Sequence, residues 1–360
     1  MKRTNKSSQA KNKPTIALCM IVRNESQVIE RCLQSVIPYI DSWVICDTGS
    51  TDNTPEIIER TLKNIPGKLH HTKWVNFGHN RSELLRRAKG AGDYLLTLDA
   101  DWTLAVDNAL PTLTADANLI RFAGDLDFAL PTLIRGDRDW RYEGAAHEYL
   151  TTDGTFSREV LDGVRFINHS DGADSHRRIE RNRQLLEEDL KRDPDNLRTI
   201  LYLGMSYRDL GMTDKAVEYL TKRVVHGGWE EEVFYCLYQI GKLLLTNQPA
   251  EGIATLLMAW QRRPQRIEPL VTLANYYRVR GEYHLAALYA EKACQTPYPN
   301  DILFVERDVW TWRAAFELSI ALWYTGDQTR SLELSRQLLE SNDLPPHIEP
   351  YVRRNSELVA

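Results

Sequence analysis

Beyond about residue 175 the chain repeats itself, and that repetition limits its fold more than any other feature. Leu203-Gly204 is followed by Tyr207, Gly211 and Ala216, the offsets of a helix, a tight turn and a second helix. Ile240-Gly241 to Ile253-Ala254 is a second copy, with Gln248 in place of the turn glycine. Leu273-Ala274 with Gly281 and Ala286 is a third. Ala315 to Leu338, turning at Gly326, is a degenerate fourth, set apart by the insert 297–308. These offsets scatter around the ~34-residue period of helix–turn–helix arrays. One helix pair cannot bury its apolar face alone, so neighbouring pairs must stack. A generic helical bundle is the alternative.

The first half has a different period. Residues 15–22 form a continuous apolar run, a candidate buried strand. Residues 25–37 place Val28, Ile29, Cys32, Leu33 and Val36 on one helical face. A second strand is expected at 42–46. Pro55 sits where a first helical residue is favoured, ahead of a helix over 56–62. A short strand at 68–74, a helix at 80–89 and the apolar strand ending at Asp99 continue the alternation. Repeated strand–helix–strand units predict an α/β domain with a mostly parallel, doubly wound sheet. The expected organisation is a basic tail at 1–13, an α/β domain at 14–175 and an all-α repeat domain at 176–360.

At 360 residues the chain is long enough for two cores, and its 42% hydrophobic and 26% charged residues are those of a globular protein. The net charge of -5 conceals an uneven distribution. Lys2, Arg3, Lys6, Lys11 and Lys13 make the first thirteen residues +5 without an acid, leaving -10 on the rest. That tail reads as a disordered lead-in, with a nucleic-acid or membrane-surface contact as the lesser reading. The five cysteines form no CxxC pair, and Cys19 and Cys46 lie inside apolar strands. Free buried thiols predict a reducing, cytoplasmic setting. No apolar run approaches the ~20 residues of a membrane span, and no apolar core of a signal peptide follows the basic start.

Several polar clusters fall where the chain leaves a strand. Asp99-Ala100-Asp101 ends the run 94–98. In an open α/β sheet, ligands bind beyond the carboxyl ends of strands, and alternating carboxylates there suit a hard divalent cation that neutralises a diphosphate. Arg23-Asn24-Glu25-Ser26 follows the first strand, with helix capping by Asn24 or Ser26 as the plain alternative. Asp47 ends the second strand and is placed to accept a hydrogen bond from a nucleobase N–H, while Asp52 fits a helix cap. Arg81, near the start of its helix, is a donor-contact candidate; Arg86, Arg87 and Lys89 read as a solvated face. His147-Glu148 puts a candidate ligand beside a candidate general base, and His169 ends a strand as a further ligand for Mn²⁺ in particular. His176, Arg177 and Arg178 lead into a helix. They suit either a diphosphate cover or a charged helix surface.

Taken in order, Val22-Arg23-Asn24-Glu25, Asp47 to Thr54, Leu96-Thr97-Leu98-Asp99-Ala100-Asp101, His147-Glu148 and His169 resemble the GT-A glycosyltransferases of the inverting family two over residues 15–175. With helical repeats of tetratricopeptide type attached, the chain looks like the branch that includes the sublancin-type peptide S-glycosyltransferases. The resemblance implies a UDP-sugar donor with Mn²⁺ or Mg²⁺. It implies Asp47 on the uracil, Asp99 near ribose or metal, and Asp101 and His169 on the metal. Arg23 and Arg81 would meet the nucleotide or its phosphates, Asn24, Glu25 and Ala100 would line the donor site, and Arg178 would cover the diphosphate. Glu148 falls at the family's catalytic base. Two departures leave the sugar open: Trp102 stands where the branch often carries an acid, and Ser82 follows Arg81 where it often carries Asn.

The expected activity is inverting, metal-dependent transfer from a UDP-sugar to a protein or peptide. A modified base in nucleic acid is the alternative acceptor. A non-catalytic repeat scaffold is a rival of another class, and the repeats would serve acceptor binding or homodimerisation. A nucleotidyltransferase would need a glycine-rich loop after the first strand, and residues 22–26 contain no glycine.

Overall fold

The computed structural model describes residues 13–124, 126–144, 146–169, 175–341 and 343–357, without the side chains of residues 123, 175, 177 and 178. All of the basic tail except Lys13 lies outside the described residues. Two units divide the chain. One comprises Met1–Arg121 and Ala129–Gly172; the other comprises Phe122–Phe128 and Ala173–Ala360.

The first unit is built on β1 (Ile16–Val22), α1 (Ile29–Val36), β2 (Ser42–Asp47), α2 (Thr54–Thr61), β3 (Gly67–His71), α3 (Phe77–Ala88), β4 (Tyr94–Thr97) and β5 (Trp102–Val106). Then come β6 (Ala117–Ala123), the two-residue β7 (Leu126–Asp127), β8 (Ala129–Arg135), β9 (Trp140–Glu143), β10 (Tyr149–Thr152) and β11 (Arg158–Asn168). An eight-stranded sheet runs β3-β2-β1-β4-β8-β6-β11-β5, and β9 and β10 form a separate hairpin. β1 is buried along its whole length, as expected for a strand covered on both faces.

The doubly wound expectation holds for β3-β2-β1-β4, which are parallel. From β8 onward the described pairings are antiparallel. The link between β6 and β8, residues 124–128, is too short for the crossover a parallel pair needs, and among the described residues no helix interrupts 102–168. Several of these later strands carry weak alternation and escape a sequence reading.

Helix starts also differ from expectation. α1 begins at Ile29, not 25, because residues 24–26 are tied to the next loop. It still buries Ile29, Cys32, Leu33 and Val36, four residues of the predicted face. α3 begins at Phe77, three residues early, where the Asn76 side chain accepts the His79 N–H as its cap.

The second unit contains α4 (Ser175–Arg192) and then four helix pairs: α5 (Leu197–Asp209) with α6 (Thr213–His226), α7 (Glu230–Leu244) with α8 (Pro249–Arg262), α9 (Glu268–Arg278) with α10 (Tyr283–Cys294), and α11 (Ala314–Thr325) with α12 (Gln328–Glu340). These are the four copies read from the sequence; α13 (Glu349–Glu357) follows them. The small residues have a packing role. A Cβ on Gly241 would lie 2.7 Å from Leu256 Cγ and 3.1 Å from its backbone nitrogen. Gly204 meets Leu220 of its own pair in the same way, with 2.9 Å to Cγ. The glycine-free turn closes through Gln248 N–H donating to Leu244 O at 2.7 Å.

The insert is a working part of the repeats. Its strand β12 (Val305–Glu306) pairs antiparallel with β7, which belongs to this unit. Phe304 packs against Tyr235 of α7 at 4.8 Å between rings, and Glu306 accepts from Tyr238 and faces Lys242 and Arg313. The chain thus covers part of the face formed by its own first helices. Arg266, fully buried, reaches Glu268, Asp301 and the carbonyls of Leu303 and Phe304. Asp301 also pairs with Arg263 at 2.6 Å. Burial opposes ionisation of Asp301, but Arg263 and Arg266 outweigh it and hold the carboxyl below its ordinary range. Among the described residues, no helix is long and apolar enough to cross a membrane. All five cysteines are free, four of them buried.

Two outcomes are expected. Gly241→Ala overpacks the α7–α8 contact and lowers unfolding free energy in urea by about 1–3 kcal/mol. Asp301→Asn removes the carboxylate shared by Arg263 and the buried Arg266, which keeps Glu268, and costs about 1–3 kcal/mol at neutral pH. Because the folded Asp301 is the stronger acid, its stabilisation is complete above its ordinary pKa of about 3.9 and is lost as pH falls through the folded value. The gap between wild type and Asp301→Asn therefore narrows below about pH 4, as measured by urea melts along a pH series.

Candidate active site

Val22 and Asp47 are register partners at the ends of β1 and β2, so the loops leaving these strands lie side by side. Side-chain oxygens bind them together. Ser50 Oγ accepts the Asn24 N–H, Asn24 Oδ1 accepts the Thr51 N–H at 2.7 Å, Thr54 Oγ1 accepts the Glu25 N–H, and Asp52 accepts the Ser26 N–H. Asn24 adopts φ 56, a left-handed conformation that Asn tolerates better than most residues. Neither Asn24 nor Ser26 caps α1, whose N-cap position is Val28 without a side-chain bond. Asp52 does bond the Thr54 N–H near the start of α2. Burial works against ionisation of Asp52, but bonds from Thr54 and Ser26 outweigh it and hold the carboxyl down at about 2.

Asp47 is buried at the base of this pair of loops. Its Oδ1 accepts from the Ser50 N–H and Oγ, at 3.0 and 2.7 Å, and its Oδ2 lies 3.3 Å from Nδ1 of the exposed His71. His71 is the register partner of Asp47 on β3. His71 did not stand out in the sequence, because a register between distant strands leaves no local signal.

The β4 end is organised by Arg81. Its Nη2 donates to both oxygens of Asp99, at 2.6 and 2.9 Å, and its Nε lies 2.7 Å from Glu148 Oε1. The guanidinium sits 5.7 Å from the centroid of the Tyr142 ring. Burial works to lower the Arg81 pKa, yet Asp99 and Glu148 overcome that and raise it further. Burial pushes the Tyr142 phenol up. The Arg81–Glu148 reach depends on a close approach of α3 to the β9–β10 turn. A Cβ on Gly78 would lie 2.2 Å from the Gly144 carbonyl oxygen. Ser82 Oγ accepts the Tyr142 N–H at 2.8 Å and donates to Gly78 O. The departure at position 82 is thus the residue that fastens α3 to β9. Arg86 and Arg87 are exposed, as expected of a solvated face.

Asp101 and His169 are neighbours through the backbone, His169 N–H donating to Asp101 O at 3.2 Å. The His169 Nε2 lies 2.9 Å from Thr103 Oγ1. Burial first, and then Asp101, Asp99 and Asp52, push the Glu25 carboxyl up to about 7. Among the described residues, no three His, Cys, Asp or Glu side chains gather as a ligand group. Asp99 has both oxygens on Arg81, and each keeps a further lone pair. Asp101 and His169 thus meet through main-chain atoms, while the His169 imidazole faces Thr103.

The structure therefore joins Asn24 and Asp47 through the first two loops, and Arg81, Asp99 and Glu148 through one guanidinium. Glu25 lies close enough to Asp99 and Asp101 to feel their charge. Ala100 is buried between the two aspartates, and Arg23, next to Asn24 in sequence, is exposed. Trp102 packs on Phe166 at 5.5 Å between ring centroids. Arg178 lies on α4, and its side chain is outside the described ones.

Residues 17–162 match the family model "Glycosyl transferase family 2". The chain is similar to the TPR repeat-containing protein Synpcc7942_0270 of Synechococcus elongatus, 27% identical over 77% of this chain and 74% of that protein. It is also similar to the SPbeta prophage-derived glycosyltransferase SunS of Bacillus subtilis, 24% identical over 59% of this chain. That match spans about half of SunS, 53% of its length. The solved structure of MamA aligns at 20% identity over 47% of this chain and 95% of that chain, with a TM-score of 0.36, too low to establish a shared fold.

Gly78→Ala is expected to force α3 and the β9–β10 turn apart, because the obstructing atom is backbone. A loss of about 1–3 kcal/mol in a urea melt is predicted. Unchanged stability would mean that the close approach is not a constraint.

Proposed function

We propose that this chain, whose residues 17–162 form a glycosyl transferase family 2 domain, moves a sugar from a UDP-sugar to a protein or peptide with inversion at the anomeric carbon. The similarity to a glycosyltransferase supports transfer as the chemistry. The observation that carries the finer reading is the reach of one guanidinium, with Asp99 at 2.6 Å and Glu148 at 2.7 Å from Arg81 nitrogens. That reach links the Asp-x-Asp segment to the candidate base and supports a single site.

In this reading Asp47, fixed by Ser50 and His71, accepts the uracil N–H. Arg23, exposed just after β1, would meet the phosphates. Asp101 and His169 would hold Mn²⁺ or Mg²⁺, which would supply charge stabilisation to the departing diphosphate. Glu148 accepts the proton of the attacking hydroxyl or thiol as that atom bonds to C1. The bond from C1 to the phosphate oxygen breaks, and UDP leaves with the electron pair. Stacked helix pairs offer extended surfaces suited to a polypeptide acceptor, although part of the first-helix face is covered by the chain itself.

Glu148→Gln is predicted to reduce UDP release from its UDP-sugar by about 100-fold or more, while UDP affinity stays within about twofold of wild type. Calorimetry and a coupled assay over a panel of UDP-sugars check both. Wild-type turnover by Glu148→Gln would remove Glu148 from the role.

A further inference from the structure

In the transferase reading above, a phosphate contact is the simplest role for Arg81. The geometry supports another. Its single positive charge already faces two carboxylates, Asp99 and Glu148, leaving the trio at -1. A donor diphosphate approaching this trio would meet net negative charge. The side chain is only 13% exposed, and its guanidinium lies over the Tyr142 ring.

The two contacts differ in kind. Both Asp99 oxygens receive hydrogen bonds from Nη2. The Nε–Glu148 contact at 2.7 Å is an ion pair without hydrogen-bond alignment, since the Arg81 Nε has no hydrogen-bond partner. Asp99 therefore anchors the guanidinium, and Glu148 is attracted to it without being locked. That arrangement suits a carboxylate that must turn toward an incoming acceptor. The base of the device is rigid: Ser82 bridges α3 to β9, and Gly78 lets the Gly144 carbonyl approach without obstruction. A planar fork with adjacent donors can span two carboxylates, which the single ammonium of lysine cannot reproduce.

We propose that Arg81 is a positioning residue that spans the Asp99 and Glu148 carboxylates, setting the base against the donor end of the pocket, and that it does not bind the donor's phosphates. This rests on the transferase reading above. Arg81 touches neither substrate nor reacting atoms; it acts through Glu148.

The test compares full-length wild type with Arg81→Met, Arg81→Lys, Glu148→Gln and the double variant Arg81→Met/Glu148→Gln. UDP affinity is measured by calorimetry with Mn²⁺ present, UDP release from a panel of UDP-sugars gives kcat and KM, and circular dichroism melts report folding. The expected result is UDP affinity within about twofold of wild type in both Arg81 variants, with KM within about threefold. Their kcat should fall about 100-fold, the scale of loss from a small misplacement of a reacting group. The double variant should be no slower than Glu148→Gln alone, because groups acting as a unit are not additive. General loss of structure would instead multiply the two effects.

A tenfold or greater loss of UDP affinity, multiplicative losses in the double variant, or wild-type kcat in Arg81→Lys would overturn the proposal while leaving the transferase reading in place. If wild type binds UDP but turns over no donor in the panel, affinity decides: equal values support the proposal, and a tenfold loss overturns it. If wild type neither binds UDP nor releases it from any donor, the transferase reading fails and the Arg81 role falls with it.

Discussion

Because β1 pairs in parallel with β2 on one side and β4 on the other, the loops leaving all three strands emerge at a single edge of the sheet. Everything proposed for the site depends on that register. It sets Asp47 beside Val22, and it carries the chain after β4 into Asp99 and Asp101. A register slip of one residue would invert the faces of a strand whose every residue is buried, so the arrangement is strongly specified. The loop residues then fasten the edge by side-chain-to-backbone bonds, Asn24 to Thr51 and Asp52 to Ser26 among them.

Charge decides what such an edge can do. Four carboxylates, of Glu25, Asp52, Asp99 and Asp101, lie near enough for the other three to help raise Glu25. One buried cation, Arg81, answers Asp99 and Glu148. Like charges gathered in a partly buried pocket are costly unless compensated. In the proposed chemistry a bound divalent cation would offset part of that charge. In the repeat unit the same problem has an internal answer, since Arg263 and Arg266 meet Asp301 and Glu268.

Much of this was legible in the sequence, for physical reasons that vary by element. The helix pairs were readable because Gly204 and Gly241 face a leucine of the partner helix and because a turn follows each first helix at a constant offset. The strands β1, β2 and β4 were readable as apolar runs ended by polar residues. The antiparallel part of the sheet was not, since short strands such as β9 and β10 carry too few residues for a period. Within the site, Asp47, Asp99 and Glu148 were singled out through motif context, yet the contacts that hold them were not legible. His71 is chosen by strand register, and Ser82 matters through a bond to Tyr142, sixty positions away. Arg81 was singled out for a contact with phosphate, whereas the structure shows it engaged by two carboxylates.

Calorimetric titration of wild-type protein with UDP, with and without Mn²⁺, tests the central claim most directly. The account predicts saturable one-site binding that requires the ion and that weakens at least tenfold in Asp101→Asn. Absence of UDP binding with Mn²⁺ present, or binding indifferent to both the ion and Asp101, would contradict it.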